Sequence, residues 1–246
     1  MNKVFALILC AVSFACMGSE SAKPLEKARV DIFDSESVRR GASYFASYCL
    51  GCHSIKQIRY SRIGTDVQMS DDPRVREELM RKEFMFGDAK IHDNVRTAMA
   101  AADSEVMFGV VPPDLSLVIR ARGADWVYSY LKGFYIDPAR PFGVNNTVVS
   151  NVAMPNVLWE LQGAQEPVLG TRDGKDVVVD VRLAESGLLS AREFDQYITD
   201  IVNFLAYVAE PSKLERLPLG KYVIAFLIFL TVILYKLKKE YWKDVD

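Results

Sequence analysis

Apolar and polar positions follow a distinct rhythm in five stretches of this chain, and each predicts a different element. From Val4 to Met17 apolar residues run almost unbroken behind Lys3, and Gly18-Ser19-Glu20-Ser21-Ala22 follows. A basic start, an apolar stretch shorter than the ~20 residues of a membrane span and a small-residue tail predict a secretory signal peptide over residues 1–22. From Ser35 or Ser37 the spacing turns helical, with Val38, Gly41, Phe45 and Tyr48 at helical intervals. Asp72-Pro73 predicts a second helix start, with Asp as N-cap and proline in the first turn. Val75, Leu79 and Met80 would give that helix its apolar face, to about Lys82. Ser190-Ala191-Arg192-Glu193 is a capping box. It opens the clearest amphipathic pattern, in which Phe194, Tyr197, Ile198, Ile201, Leu205 and Val208 recur at three- and four-residue steps until Pro211. The last rhythm is continuous. Leu217, Leu219 and the run from Tyr222 to Tyr235 make about 19 residues that span a bilayer if Lys221 reaches back to the interface.

Between these elements the signals are weaker. A short helix is predicted over Leu115 to Arg122, ended by Gly123, and another over Trp126 to Lys132, stopped by Gly133. Phe134 to Thr147, rich in Pro, Gly and Asn, reads as loop. Leu158 to Asp180, with turn signals at Gly170 and Asp173-Gly174, holds at most a small hairpin with Val177-Val178-Val179 as a strand. The sum is a mainly α fold with long loops: a domain over residues 23–216, a transmembrane helix over 217–235 and a tail over 236–246. Gly41 inside a helical pattern predicts close approach of another helix backbone, supplied from the far end of the chain.

Composition changes this picture little and charge changes it more. Half of the 246 residues are hydrophobic and 25% are charged, which suits one globular domain plus a membrane segment. The net charge of −2 makes nucleic acid an unexpected partner. Lys221, Lys236, Lys238, Lys239 and Lys243 concentrate positive charge at the C-terminus, so the body is mildly acidic and the tail basic. Lysines directly after an apolar span predict a cytoplasmic C-terminus and a domain on the outer side, held by a single pass. Cys10 and Cys16 fall in the leader, which leaves Cys49 and Cys52 to the rest of the chain.

Those two cysteines carry the candidate chemistry. Cys49-Leu50-Gly51-Cys52-His53 is the attachment pattern of a c-type haem. The two sulfurs add across the haem vinyl groups, and the adjacent imidazole is then placed over one face of the iron. A dithiol redox pair or half a zinc site would use the same cysteines. Zinc would have to recruit His92 or the leader cysteines, and the flanking residues lack the strand–turn–helix context of a redox pair. For a second axial ligand the candidates are His92 and Met69, Met80, Met85, Met99, Met107 and Met154. Met154 alone sits in a loop-like setting, stiffened by Pro155, but an ordinary packed methionine is the competing reading for each. Arg120 and Arg122 are either surface cations or partners for buried haem propionates, and spacing favours the surface.

Taken together, Arg39-Arg40-Gly41 before Tyr48-Cys49-Leu50-Gly51-Cys52-His53, Pro112-Pro113-Asp114-Leu115-Ser116 with Arg120-Ala121-Arg122, Ala153-Met154-Pro155, and Phe204 to Tyr207 through Glu210-Pro211 ahead of the anchor resemble the cytochrome c1 family. That family provides the haem c subunit of the cytochrome bc1 complex. The resemblance implies a cytochrome c-like haem domain with one covalently attached haem c, bound at Cys49, Cys52 and His53. It implies Met154 as the sixth iron ligand, with Arg122 and Pro113 beside the haem. It also implies a crossing of N- and C-terminal helices through Gly41, Phe45 and Tyr207. The implied activity is one-electron transfer from the Rieske iron–sulfur protein to a cytochrome c. Cytochrome b would be a neighbour, in a dimeric complex of the bacterial inner membrane with the haem domain periplasmic. The chain departs from mitochondrial forms in its short segment between His53 and Pro112 and in Asn156 after Met154-Pro155. A free-standing anchored cytochrome c donating to a terminal oxidase would share every haem argument.

Overall fold

The computed structural model describes residues 24–172 and 174–244. The predicted signal peptide, residues 1–22, lies outside them.

The frame is one crossing of two helices distant in sequence, α1 (Ser35–Tyr48) and the helix Ala191–Ala209. Asp34 caps α1, its side chain accepting from the Ser37 N–H. The capping box at Ser190 and Glu193 forms as predicted at the start of the second helix. Gly41 is the contact point: a Cβ there would overlap the Asp200 carbonyl and stand 2.9 Å from Phe204 Cβ. Phe45 packs on Phe204, ring centroids 5.5 Å apart, so Phe204 is the principal ring at the crossing. Tyr207 is fully buried one turn further on, and its hydroxyl donates to Asp66 at 2.8 Å.

Buried polar groups lock the same crossing. Asp200, 1% exposed, accepts from Ser37 Oγ at 2.6 Å and from Arg40 Nε at 2.7 Å, and Asn203 Nδ2 donates to Ser37 Oγ. Asp200→Ala would strand these donors beside a void, although Arg40 can turn to water. We expect a loss of about 2–3 kcal/mol, read as a lower denaturation midpoint with an unchanged haem spectrum.

Between the two crossing helices the chain wraps the core in short pieces. In order these are β1 (Ile55–Arg59), α2 (Tyr60–Asp66), α3 (Pro73–Glu83), β2 (Asn94–Val95), α4 (Ala101–Phe108), α5 (Val118–Arg122) and α6 (Ala124–Lys132). They continue with β3 (Phe134–Ile136), β4 (Val144–Asn146), α7 (Trp159–Gln162), β5 (Gly163–Arg172) and β6 (Lys175–Ser186), which leads into Ala191–Ala209 as α8. Asp72 and Pro73 start α3 as predicted, but its apolar face is narrower: Met80 is buried, Leu79 half-buried and Val75 exposed. Gly123 separates α5 from α6 at φ 91°, and Gly133 follows α6 because a Cβ there would strike Thr147 Oγ1.

Three two-stranded antiparallel sheets form: β1–β2, β3–β4 and β5–β6. The pairing of β3 with β4 corrects the loop expected over Phe134 to Thr147. The strands have three residues each, too short for an alternating pattern to register. β5–β6 is far longer than the minor hairpin expected, ten and twelve residues with two irregularities in register. Most of its side chains are exposed, so backbone pairing sustains it without a core-facing apolar stripe.

The chain ends in α9 (Lys213–Tyr241), 29 residues with Pro218 inside, long and apolar enough to cross a membrane, its apolar stretch exposed along its length. At ~1.5 Å per residue its length exceeds the ~30 Å hydrocarbon core. Its first turn is fixed to the domain, with Arg62 donating to Glu215 at 3.0 Å.

Candidate haem-binding site

The Cys49–His53 motif grows out of the end of α1. The Cys49 and Leu50 N–H groups donate to the Phe45 carbonyl, and those of Cys52 and His53 turn back onto the Cys49 carbonyl. One tight turn thus presents both thiols and the imidazole together. Two other segments brace it. Thr97, just past β2, donates through Oγ1 to the Gly51 carbonyl at 2.7 Å, and its N–H donates to Ser54 Oγ. The Pro-Pro-Asp-Leu-Ser turn docks from the other segment: Leu115 N–H donates to the Ser54 carbonyl, and Asp114 and Ser116 accept from the N–H groups of Lys56 and Gln57.

The same turn orients the histidine. His53 Nδ1 lies 2.8 Å from the Pro113 carbonyl, which can only accept, so Nδ1 carries the proton and Nε2 keeps its lone pair for a metal. Burial pushes the His53 pKa down, against the opposing pull of the Pro113 carbonyl and Asp114. The ring is therefore neutral at physiological pH. Both cysteines are free; burial pushes the Cys49 thiol up to about 12, with Cys52 adding to it, and raises Cys52 as well. A dithiol oxidoreductase needs the opposite, a thiol depressed toward neutrality. His92 is exposed, and among the described residues no group of three or more His, Cys, Asp or Glu is placed to hold a metal ion.

Asp114 is the group whose charge holds the docked turn. Burial opposes its ionisation, but hydrogen bonds from Ser116 and the Lys56 N–H outweigh that and hold it below its ordinary 3.8. A depressed carboxylate stabilises fully above its unfolded value and loses that contribution as pH falls through the folded one. Acid titration of the haem Soret band should show an early loss below pH 3.8 that Asp114→Asn removes.

Met154 belongs to a loop built by two asparagines. Asn145 Oδ1 accepts from the N–H groups of Asn146 and Asn151, and Asn146 Oδ1 accepts from Val148 and Val149. Asn146 Nδ2 ties this loop to the Tyr130 carbonyl at 2.8 Å. The half-buried Met154 sulfur accepts from Tyr130 Oη at 3.4 Å. Among the other methionines, Met80 and Met85 are buried in the core and Met107 is 60% exposed.

Arg122, Trp126 and Tyr130 stand four residues apart. The guanidinium lies 5.4 Å from the Trp126 ring centroid, and Trp126 stacks on Tyr130 at 5.1 Å and 6°. Burial pushes the Tyr130 phenol up to about 12. Arg120 pairs with Glu210 at 3.4 Å, whereas Arg122 makes no ion pair with any described residue. The segment from Pro113 to Tyr130 thus connects the His53 support to the Met154 loop. Met154 and Arg122 make no hydrogen bond to the Cys49–His53 motif. Thr97, Tyr130 and Asn146 were not marked by sequence; the Trp126/Tyr130 spacing and the Asn-Asn pair are the only signals that pointed to them.

The donors match a c-type haem on their own chemistry. Two neutral thiols can form thioethers, a fixed imidazole leaves one nitrogen free, a thioether sulfur is soft, and an unpaired guanidinium suits a propionate.

A mainly helical domain with this motif and one C-terminal membrane-length helix defines a membrane-anchored c-type haem protein. The model of the Cytochrome C1 family matches residues 26–245, and the chain belongs to that family. It is 46% identical over 245 residues to the cytochrome c1 of Allochromatium vinosum, 98% of each chain being covered. It is 38% identical over 245 residues to a protein of Nitrosomonas europaea named ammonia monooxygenase gamma subunit, covering 100% of this chain and 99% of that one. The cytochrome c1 of Rhodospirillum rubrum is 27% identical over 230 residues, covering 87% and 83%. This chain is therefore a bacterial-type cytochrome of the c1 family carrying covalently bound haem c, the haem subunit type of the bc1 complex.

Proposed function

We propose that this chain relays single electrons from a Rieske iron–sulfur protein to a cytochrome c, beside cytochrome b in a dimeric ubiquinol–cytochrome c reductase. When bound, the haem supplies a ferric/ferrous couple and makes or breaks no substrate bond. The observation that carries this reading is the pairing of His53 Nδ1 with the Pro113 carbonyl, which leaves Nε2 free to take the iron. Cys49 and Cys52 would hold the group covalently, Pro113 would support it through His53 and Arg122 would take a propionate. Met154 would supply a second, soft donor. With His53 and Met154 both engaged, no coordination site would be left for oxygen. An oxygen-activating role of the kind suggested by the name of the Nitrosomonas relative therefore has less support in these residues.

In this proposal residues 1–22 direct export and are removed, 23–216 stand on the periplasmic side, 217–235 span the inner membrane and 236–246 face the cytoplasm. The lysines after Tyr235 support that orientation. The anchor confines the domain near its donor and raises the effective concentration of each for the other. Purification in mild detergent tests the assembly. Cytochrome b and an iron–sulfur protein should co-migrate with this chain, and recovery of the haem protein alone would favour the free-standing cytochrome.

A further inference from the structure

We propose that Tyr130 is a positioning residue for the iron's methionine ligand, and that its hydroxyl, donating to Met154 Sδ, raises the reduction potential and holds the ligand loop closed. The inference rests on Met154 being that ligand.

A thioether sulfur has two lone pairs. One is offered to a soft metal, and the other remains on the sulfur's far side. Tyr130 Oη stands 3.4 Å from that sulfur, an ordinary separation for so large an acceptor atom. A phenol at physiological pH is protonated, so the contact is a donor–acceptor pair. Donation from the hydroxyl draws electron density from the sulfur and makes it a poorer donor. A poorer donor disfavours the ferric state more than the ferrous, which raises the potential; hydrogen bonds around the ligands are one of the protein's means of setting it.

The ring cannot swing away from this duty without cost. Trp126 stacks on one face at 5.1 Å, and Phe134 meets the ring edge-on at 5.4 Å and 72°. The Tyr130 carbonyl accepts from Asn146 Nδ2, the side chain that organises the Met154 loop. One residue therefore grips the ligand loop at both its backbone and its sulfur. Phenylalanine at 130 would keep the stack, the edge contact and the backbone bond, and remove the hydroxyl alone. Tyr130→Phe thus separates the proposed role from a packing role.

The test uses the full chain in its detergent-solubilised complex. The measurements are the methionine–iron charge-transfer absorption, a potentiometric titration and displacement of the sixth ligand by added imidazole. Tyr130→Phe is expected to keep that absorption but shift it, and to lower the potential. The potential change should correspond to a several-fold shift in the one-electron equilibrium, tenfold being about 59 mV. Imidazole should displace the methionine at about fivefold lower concentration, the size of one neutral hydrogen bond. Met154→Leu is measured alongside. If it abolishes the absorption while Tyr130→Phe leaves absorption, potential and imidazole affinity unchanged, the role of Tyr130 is rejected and the ligand assignment stands. If Met154→Leu leaves the absorption intact, the ligand assignment itself is rejected, and the inference falls with it.

Discussion

Gly41→Val is expected to prevent accumulation of folded, haem-loaded protein, and Gly41→Ala to leave a partly populated, thermally weakened form. The reason is backbone against backbone. The first atom that any side chain adds at position 41 falls on the Asp200 carbonyl, 2.6 Å from Asp200 C and 2.9 Å from Phe204 Cβ. None of these is the end of a flexible side chain. Relief requires α1 and α8 to separate, which would open the contact of Phe45 with Phe204 and pull Ser37 and Arg40 away from Asp200. Overpacking in a core commonly costs ~1–3 kcal/mol, and coupling it to a buried polar network takes the valine variant above that range. Against a typical total stability of ~5–15 kcal/mol, such a loss is enough to expose the chain to proteolysis before haem attachment is complete. The yield of covalent haem per membrane protein, with thermal unfolding of the alanine variant, measures it. Valine accumulating at wild-type level would show that the two helices do not cross as tightly as described.

That crossing was legible because each of its parts leaves a mark in sequence. A capping box, an apolar stripe and a glycine on a helix face all come from local backbone chemistry, and local chemistry is what one sequence records. The elements missed lack such marks. Most side chains of β5 and β6 are exposed, so no period-two pattern arises. β3 and β4 are three-residue strands. α4 begins at Ala101, and Ala100 before it offers no side-chain cap. The site divides the same way. Cys49, Cys52 and His53 are adjacent in sequence because one turn must present them together, and that turn is visible. Their bracing by Thr97 and Pro113, and the link from Tyr130 to Met154, are contacts between distant segments. Arg120 and Arg122 were indistinguishable by spacing; the ion pair of Arg120 with Glu210 and the contact of Arg122 with the Trp126 ring separate them.

Met154→Leu carries the other large effect, and it should separate function from folding. Leucine conserves the volume of methionine, so the swap should cost less than about 1.5 kcal/mol of stability. The side chain is half-buried, and the asparagine bonds that shape its loop do not involve it. What leucine cannot offer is a lone pair. The methionine–iron charge-transfer absorption should vanish, and the potential should fall because a soft donor that favours the ferrous state is gone. The reduced protein should then bind carbon monoxide, which the wild-type does not if both axial positions are filled. Of the other described methionines, Met69 and Met99 are half-buried. Met80 is wholly enclosed and Met85 nearly so, while Met107 projects from α4 at 60% exposure. Electron delivery to cytochrome c should slow with the lost driving force, while the anchor, which lies elsewhere in the chain, should leave co-purification unaffected. Retention of both the absorption and the potential in Met154→Leu would move the sixth ligand to another residue.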